Sequence, residues 1–214
     1  MKRSIAILGL GKYGRSLAEQ LYSMGADVLV ADHDEELIHE FAGKSTVAIC
    51  AELTNEDEVA ALGLENMDIV VSAMGGNPAA SIMVVAVAKE QGVPLVVAKA
   101  STARMSSILK KVGADKIVDP EEEGGIRSAR ILMSSTFLDF MQLDENLSLV
   151  EMRVKKEWAG KSLMKLDLRK KFQLNVIAVK EKGGRWSFID PTKALSEQMV
   201  LLVVLEKSAL KKFT

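Results

Sequence analysis

Ser4-Ile5-Ala6-Ile7-Leu8-Gly9-Leu10-Gly11-Lys12-Tyr13-Gly14 decides the fold. Ser4 to Leu8 reads as a buried strand, and a Gly-x-Gly-x-x-Gly turn follows without a gap. A helical pattern takes over at Arg15 and runs to Met24. A second strand, Asp27 to Ala31, ends at Asp32. A Gly-rich turn alone says little. Placed between strand and helix, with an acid at the tip of the next strand, it predicts an adenine-nucleotide site. Gly9 permits the tight turn, Gly11 lets a phosphate approach the backbone, and Gly14 lets the helix pack closely on the sheet. The helix start turns N–H groups and a partial positive charge toward an anion. Asp32 is placed to accept both ribose hydroxyls.

The same alternation continues outward from this unit. Strands are predicted at Ser4–Leu8, Asp27–Ala31, Thr46–Cys50, Ile69–Ala73, Leu95–Ala98 and Lys116–Val118. They are short, rich in Val and Ile and apolar on both faces, as parallel strands between helix layers are. Helices are predicted at Arg15–Met24, Glu35–Ala42, Glu56–Leu62, Ala79–Gln91 and Ala103–Val112. Gly25, Gly63, Gly92 and Gly113 stand near the ends of four of them, where a left-handed cap residue is wanted. The pattern implies an α/β, Rossmann-like doubly wound parallel sheet with its ligand at the carboxyl ends of the strands.

After Asp119-Pro120 the pattern changes. Glu121-Glu122-Glu123 suits the first turn of a helix, where the dipole favours acids. Residues 126–141 read as one long amphipathic helix and 139–146 as a polar linker. From Leu147 onward a small α+β unit is expected. Its strands fall at Leu149–Val154, Asn175–Lys180, Arg185–Ile189 and Met199–Leu205, with helices at Leu163–Phe172 and Lys207–Phe213. Gly183-Gly184 supplies a hairpin turn. The expected domains are thus 1–138, with a crossover helix at about 126–141, and 147–214. A second unit of that size often gains stability by pairing.

Composition narrows the function. The 214 residues, 48% hydrophobic and 27% charged, are ordinary for a globular protein. A net charge of −1 offers no broad basic field for nucleic acid or an anionic membrane. Cys50 is the single cysteine, which excludes an internal disulfide and suits a reducing compartment. It reads as strand core. The N-terminal residues do not read as a secretion signal, and no apolar run approaches the ~20 residues of a membrane span.

The chain resembles the RCK (regulator of conductance of K+) family, in particular its KtrA/TrkA-type cytoplasmic subunits of bacterial potassium uptake systems. The likeness is carried by Ile7 through Gly14, Asp32-His33-Asp34-Glu35-Glu36, Ala51-Glu52-Leu53-Thr54, Gly75-Gly76-Asn77, Lys99-Ala100 and Gly113 through Glu121. In the second unit it is carried by Gly160-Lys161-Ser162-Leu163, Leu166-Asp167-Leu168-Arg169 and Val176-Ile177-Ala178-Val179. The resemblance implies a TrkA-N (RCK_N) domain followed by a TrkA-C-like (RCK_C) domain. It further implies a homodimer assembling into an octameric ring on an integral membrane potassium-translocating subunit (KtrB/TrkH-like). Such a protein is cytoplasmic, peripheral to the inner face of the cell membrane through its partner, and binds no nucleic acid. The expected ligands are ATP/ADP or NAD(H), whose exchange gates the pore.

Residue by residue, the resemblance places Gly9, Gly11 and Gly14 against the phosphates, with Lys12 and Tyr13 in the same turn. Asp32 holds the ribose, with His33 and Asp34 beside it. Glu52 and Leu53 flank the adenine. Met74, Gly75 and Asn77 close the cleft, and Lys99 supplies charge there. Lys12 stands where many relatives carry an arginine that reaches a phosphate. Lysine keeps the charge and loses the bidentate fork. Glu52 replaces an Asp or Asn common in relatives, and Ser101-Thr102-Ala103-Arg104-Met105 departs from their pattern, so the choice between ATP and NAD stays open. Glu121 matches an interface position used for a cation, and also suits a helix first turn. Arg169, Val176, Ile177 and Pro191 match positions associated with cyclic di-AMP, or else serve as strand core and a helix-end ion pair.

Two other functions fit the fold class. An NAD(P)-dependent oxidoreductase needs a proton donor beside the nicotinamide. The only histidines are His33, next to the ribose acid, and His39, on a predicted surface helix. A non-catalytic protein is therefore expected. A DNA-binding regulator needs a basic recognition helix, and Lys165, Arg169, Lys170 and Lys171 read as a solvated helix face. A third alternative is an RCK-type regulator of a different ion transporter.

Overall fold

The computed structural model describes residues 2–181 and 183–213; Met1, Lys182 and Thr214, which the expected domains include, lie outside them. The chain forms two compact units, Met1–Glu122 and Glu123–Thr214.

In the first unit, β1 (Ser4–Leu8), β2 (Asp27–Asp32), β3 (Val47–Cys50), β4 (Ile69–Ser72), β5 (Leu95–Lys99) and β6 (Lys116–Val118) form one parallel sheet in the order β3-β2-β1-β4-β5-β6. The helices between them are α1 (Lys12–Ser23), α2 (Glu35–Phe41), α3 (Glu56–Ala60), α4 (Pro78–Glu90) and α5 (Ala103–Val112). The order reverses between β1 and β4, which makes the carboxyl end of β1 the switch point where such sheets hold ligands.

The continuous apolar runs are explained by two cores. Ile5, Ile7, Val28 and Val30 pack on one face with Leu10, Ala18 and Phe41. Ala6, Leu8, Leu29 and Ala31 pack on the other with Val84, Val85 and Leu109. With a side-chain period of two, only an apolar residue at every position fills both sides. Asp34, Asn55, Asn77 and Thr102 cap α2 to α5 through side-chain oxygens, each worth about 1 kcal/mol.

The second unit is built on an antiparallel sheet, β10-β9-β11-β8-β7. Its strands are β7 (Phe137–Gln142), β8 (Leu147–Arg153), β9 (Leu174–Lys180), β10 (Ser187–Phe188) and β11 (Val200–Glu206), with short helices α7 (Leu163–Leu166) and α8 (Leu168–Phe172). Here the strands alternate. Val150 and Met152 on β8 and Leu201, Val203 and Leu205 on β11 point into the core. Trp158, Phe172, Phe137 and Phe213 close it, with ring centroids 5.5–6.3 Å apart.

The structure departs from the sequence reading chiefly at the join. The helix expected over 126–141 is α6 (Pro120–Met133), and the chain then turns into β7. The expected linker 139–146 is the end of that strand and its turn into β8, fixed by Asp144 Oδ1 accepting from Asn146 and Leu147 N–H at 2.7 Å. The division therefore falls at Glu122/Glu123, not at 138, and the second unit begins before 147. Phe137, Phe140 and Met141 have the i, i+3, i+4 spacing of a helical stripe, which this strand shows because its register shifts between Phe137 and Asp139, and a short apolar run does not settle its own period. The helix expected over 163–172 is broken at Asp167, which has φ +48°. The strand expected over 185–189 shortens to Ser187–Phe188, and the last helix is 3-10 over Lys207–Lys212. Cys50, read as core, is exposed because β3 is an edge strand. Among the described residues no helix is long and apolar enough to cross a membrane.

Candidate functional site

Three strands end level at the switch point. Leu8 lies opposite Ala31 on β2 and Ser72 on β4. Two bonds past the strand ends hold the turn, Gly9 N–H to Ala31 O and Ala73 N–H to Leu8 O, both 2.8 Å. Gly9 has φ +99°, and a Cβ there would lie 2.4 Å from Met74 Cγ. A Cβ on Gly14 would lie 1.9 Å from Gly9 O, which binds the start of α1 to the turn. A Cβ on Gly11 would meet nothing within 4 Å. The first and third glycines are thus required by the protein's own packing, and the second leaves open space beside the backbone. Gly11 caps α1 and has no side chain to bond its amides; the first turn of α1 holds no acid. Among α1 to α5, α1 alone starts without a side-chain cap. Donors and dipole therefore stay available to an anion.

Asp32 is buried at the tip of β2. Its Oδ2 accepts from Leu10 N–H at 2.5 Å, and its Oδ1 accepts from Asp34 N–H at 3.1 Å and faces His33 Nδ1 at 2.9 Å. Each carboxylate oxygen has two acceptor directions, so this network orients the group and leaves capacity for a hydroxyl. The Leu10 bond is not visible in any sequence pattern, since it joins residues 22 apart.

On the other side of the turn, Met74 and Gly75 follow β4. Lys99 at the end of β5 reaches Gly75, with Cε 3.3 Å and Nζ 3.4 Å from where a Cβ would be. Its side chain is 12% exposed, and Nζ is 5.9 Å from the centre of the Tyr13 ring. It donates to Glu121 Oε1 at 2.6 Å. That bond holds the Glu121 carboxyl below the usual range. Ser101 Oγ donates to Gly75 O at 3.1 Å. The ion pair and the Ser101 bond have no signature in sequence, because each joins residues more than 20 apart.

The structure brings Gly9, Gly11, Tyr13, Gly14, Asp32, His33, Met74, Gly75 and Lys99 to one end of the sheet and gives the remaining candidates other tasks. Asp34 caps α2, accepting from Glu36 and Leu37 N–H, and Asn77 caps α4, accepting from Ala80 N–H. Leu53, expected beside an adenine, is 3% exposed and packs in the core. The β3–α3 turn directs it inward, because Glu52 and Thr54 take the polar side. Glu52 Oε1 accepts from Thr54 Oγ1 at 2.7 Å and from its N–H at 3.0 Å, which lowers its pKa. Lys12 is exposed. Glu121, expected at a cation, has Lys99 as its partner, and among the described residues no three His, Cys, Asp or Glu side chains gather as metal ligands. Partial desolvation and then the carboxylates of Glu35 and Asp32 push the Cys50 thiol up, which disfavours its thiolate form.

In the second unit Arg169 is exposed on α8, and Val176 and Ile177 lie on β9. Ile177 is the extra residue of a bulge, since Val203 pairs with Val176 and Leu202 with Ala178. It is 41% exposed rather than core. Pro191 is exposed, its carbonyl accepting from Met164 N–H at 3.2 Å.

A parallel sheet of this order, with a Gly-rich turn and a buried acid at its switch point, defines a Rossmann-type domain. Residues 5–120 match the family model of the TrkA-N domain. The chain is 34% identical to the Ktr system potassium uptake protein C of Bacillus subtilis over 100% of its length and 96% of that protein. It is 31% identical to the Ktr system potassium uptake protein A of the same organism, over 99% and 95%. The chain belongs to the TrkA-N family, in its RCK branch of KtrA/TrkA type. Among solved structures, the GsuK channel bound to NAD shares the fold, with a TM-score of 0.67 and 18% identity over 98% of this chain. This chain spans 38% of that one.

Proposed function

We propose that the protein is a nucleotide-sensing regulatory subunit of a potassium uptake system. The first unit binds ATP/ADP or NAD(H) and the bound state sets the conductance of a membrane partner. One observation carries the reading. The cleft at the end of β1 combines an uncapped helix start, open space at Gly11 and a buried, oriented Asp32. Phosphate oxygens fit the first two, and ribose hydroxyls fit the third. Potassium enters through the relatives, which are potassium uptake proteins matched over nearly their whole length. The likeness to the NAD-bound GsuK channel supports the ligand class, since a chain of this fold holds a nucleotide.

Regulation requires differential affinity. Two nucleotides shift an assembly only as far as their affinities for its two shapes differ. The ring of this chain, its membrane subunit and its cytoplasmic position belong to the same proposal. Among the described residues the one carboxylate–imidazole pair of the cleft, Asp32 with His33, lies at the tip of β2 where the ribose is proposed to sit, which favours a sensor over an oxidoreductase. The test is calorimetric titration of the native protein and Asp32→Ala with ATP, ADP, NAD and NADH. Native protein is expected to bind at least one of them, and Asp32→Ala to lose at least tenfold in affinity, about 1.4 kcal/mol. No binding by native protein, or equal binding by both, removes the reading.

A further inference from the structure

We propose that the helical layer of the second unit is a docking surface for an anionic lipid membrane. It adds a partner to the nucleotide reading above and does not depend on that reading.

The second unit carries 17 Lys and Arg against 11 Asp and Glu. The excess is confined to two segments. Residues 155–172 and 206–213 hold ten of the bases and three of the acids, which leaves seven bases against eight acids in the rest of the unit. Both segments belong to one layer. Trp158, Leu166 and Leu168 of the first and Ala209, Leu210 and Phe213 of the second are buried in the same core, against the inner face of the sheet. The apolar side chains go to the sheet, and nine of the ten bases are exposed.

The bases of the two segments meet. Lys155 Nζ lies 4.5 Å from the centre of the Phe213 ring and donates to Lys212 O at 3.4 Å, and Lys212 Nζ donates to Lys171 O at 3.0 Å. Among the described residues none of these three lysines has a carboxylate partner, and a neutral carbonyl leaves the charge of its donor uncompensated. The first unit differs. There Lys2, Lys44, Lys89 and Lys99 each meet an Asp or Glu. Positive charges gathered without counter-charges repel one another, and an anionic surface relieves that repulsion.

The make-up of the layer selects a lipid sheet among polyanions. Of its ten bases only Arg169 has the planar fork that reads a phosphate or a base edge; the others are lysines, which act as point charges. The rings beneath them are covered. Trp158 is 2% and Phe213 5% exposed, so neither offers a face on which a nucleic-acid base could stack. Scattered lysines give a protein partner no fixed register, whereas lipid headgroups diffuse laterally to wherever the charges lie. A cluster of about four to eight basic residues is what an anionic leaflet attracts.

Flotation of the full chain with vesicles tests this, using phosphatidylcholine alone or mixed with phosphatidylglycerol, at low and at high salt. Native protein is expected to bind only the mixed vesicles and to leave them as salt rises, because exposed charges are screened. Lys171→Gln/Lys207→Gln/Lys212→Gln is expected to bind at least tenfold more weakly, since one lysine at an anionic leaflet is worth about fivefold. Lys156→Gln/Lys165→Gln/Lys170→Gln, which disturbs none of the carbonyl bonds, carries the same expectation. Lys110→Gln/Lys111→Gln/Lys116→Gln removes equal charge from the first unit and is expected to bind as native protein does. Circular dichroism confirms that each variant is folded. Binding to both vesicles alike, or to neither, overturns the inference. So does an equal loss in the first-unit variant, which assigns the effect to net charge. Tighter binding of a random-sequence DNA duplex than of mixed vesicles overturns it too and assigns the layer to nucleic acid. Each of these results leaves the nucleotide reading standing, since no substituted residue lies in the cleft.

Discussion

At the scale of single residues, the three glycines of the turn separate folding from binding. Gly14 faces Gly9 O, and an added Cβ would overlap it at 1.9 Å. A backbone carbonyl cannot rotate away as a side chain can, so Gly14→Ala forces α1 off the sheet. The expected cost is about 1–3 kcal/mol or more, the range for overpacking. Gly11 has an ordinary φ of −62° and open space at the Cβ position. Gly11→Ala is therefore expected to change stability by under about 1 kcal/mol while its methyl group fills the path of a phosphate. Denaturant unfolding and nucleotide titration on both variants check this. The expected pattern is a weak fold for one and a weak ligand for the other. Full binding by Gly11→Ala would mean that no phosphate approaches there. All three glycines were legible in the sequence, and their unequal tasks were not, because only the neighbour of each Cβ tells them apart.

At the scale of elements, Asp115 ties three pieces of the first unit together. It precedes β6, accepts from Val96 N–H of β5 at 2.7 Å, and pairs with Lys89 of α4 at 3.1 Å. The Val96 bond, aided by Lys89, holds its carboxyl below the usual range. Its folded-state pKa is depressed, so the stability it contributes is full above about pH 4. That contribution falls away as pH drops through the lowered value. Asp115→Asn is expected to cost about 1 kcal/mol at pH 7, with the difference from native protein closing toward pH 2–3. A difference independent of pH would assign the effect to packing. The sequence placed β6 and α5 to the residue, yet it read a helix through Phe137 to Met141. The contrast is physical. In the first unit each element is punctuated by a cap or a glycine, and Gly25, Gly63, Gly92 and Gly113 all adopt positive φ as their positions suggest. Between α6 and β7 there is only Ser134-Ser135-Thr136, and the tie that settles the strand, Arg127 to both oxygens of Asp139 at 2.7 Å, spans 12 residues. The candidate site divided likewise. Asp32 and the turn were readable because local order announces them, whereas the bond from Lys99 to Glu121 was not, because it joins two separate elements.

At the scale of the whole molecule, a net charge of −1 conceals a partition. The first unit carries 11 Lys and Arg against 18 Asp and Glu, and the second 17 against 11. The absence of a basic field read from the total thus describes the first unit and not the second, where Lys155, Lys171 and Lys212 meet through bonds to backbone carbonyls. The two units also have separate cores, of different architecture, and a ligand that binds one stabilises that one. The sequence supplies a way to see this, because both tryptophans, Trp158 and Trp186, lie in the second unit. Far-ultraviolet circular dichroism follows both units on heating, and tryptophan fluorescence follows the second alone. A nucleotide at 100 times its Kd contributes about 2.7 kcal/mol to the first unit, a rise in its melting temperature on the order of 10 °C. The expected result is a dichroism transition that moves or splits when nucleotide is added and a fluorescence transition that stays in place. If fluorescence moves with dichroism by the same amount, the units unfold as one cooperative body, and the nucleotide's grip on the first unit is felt throughout the second. The proposed gating then has its route within a single chain. If only dichroism moves, the proposed signal must travel outside the second unit, through contacts between first units or with the proposed membrane partner.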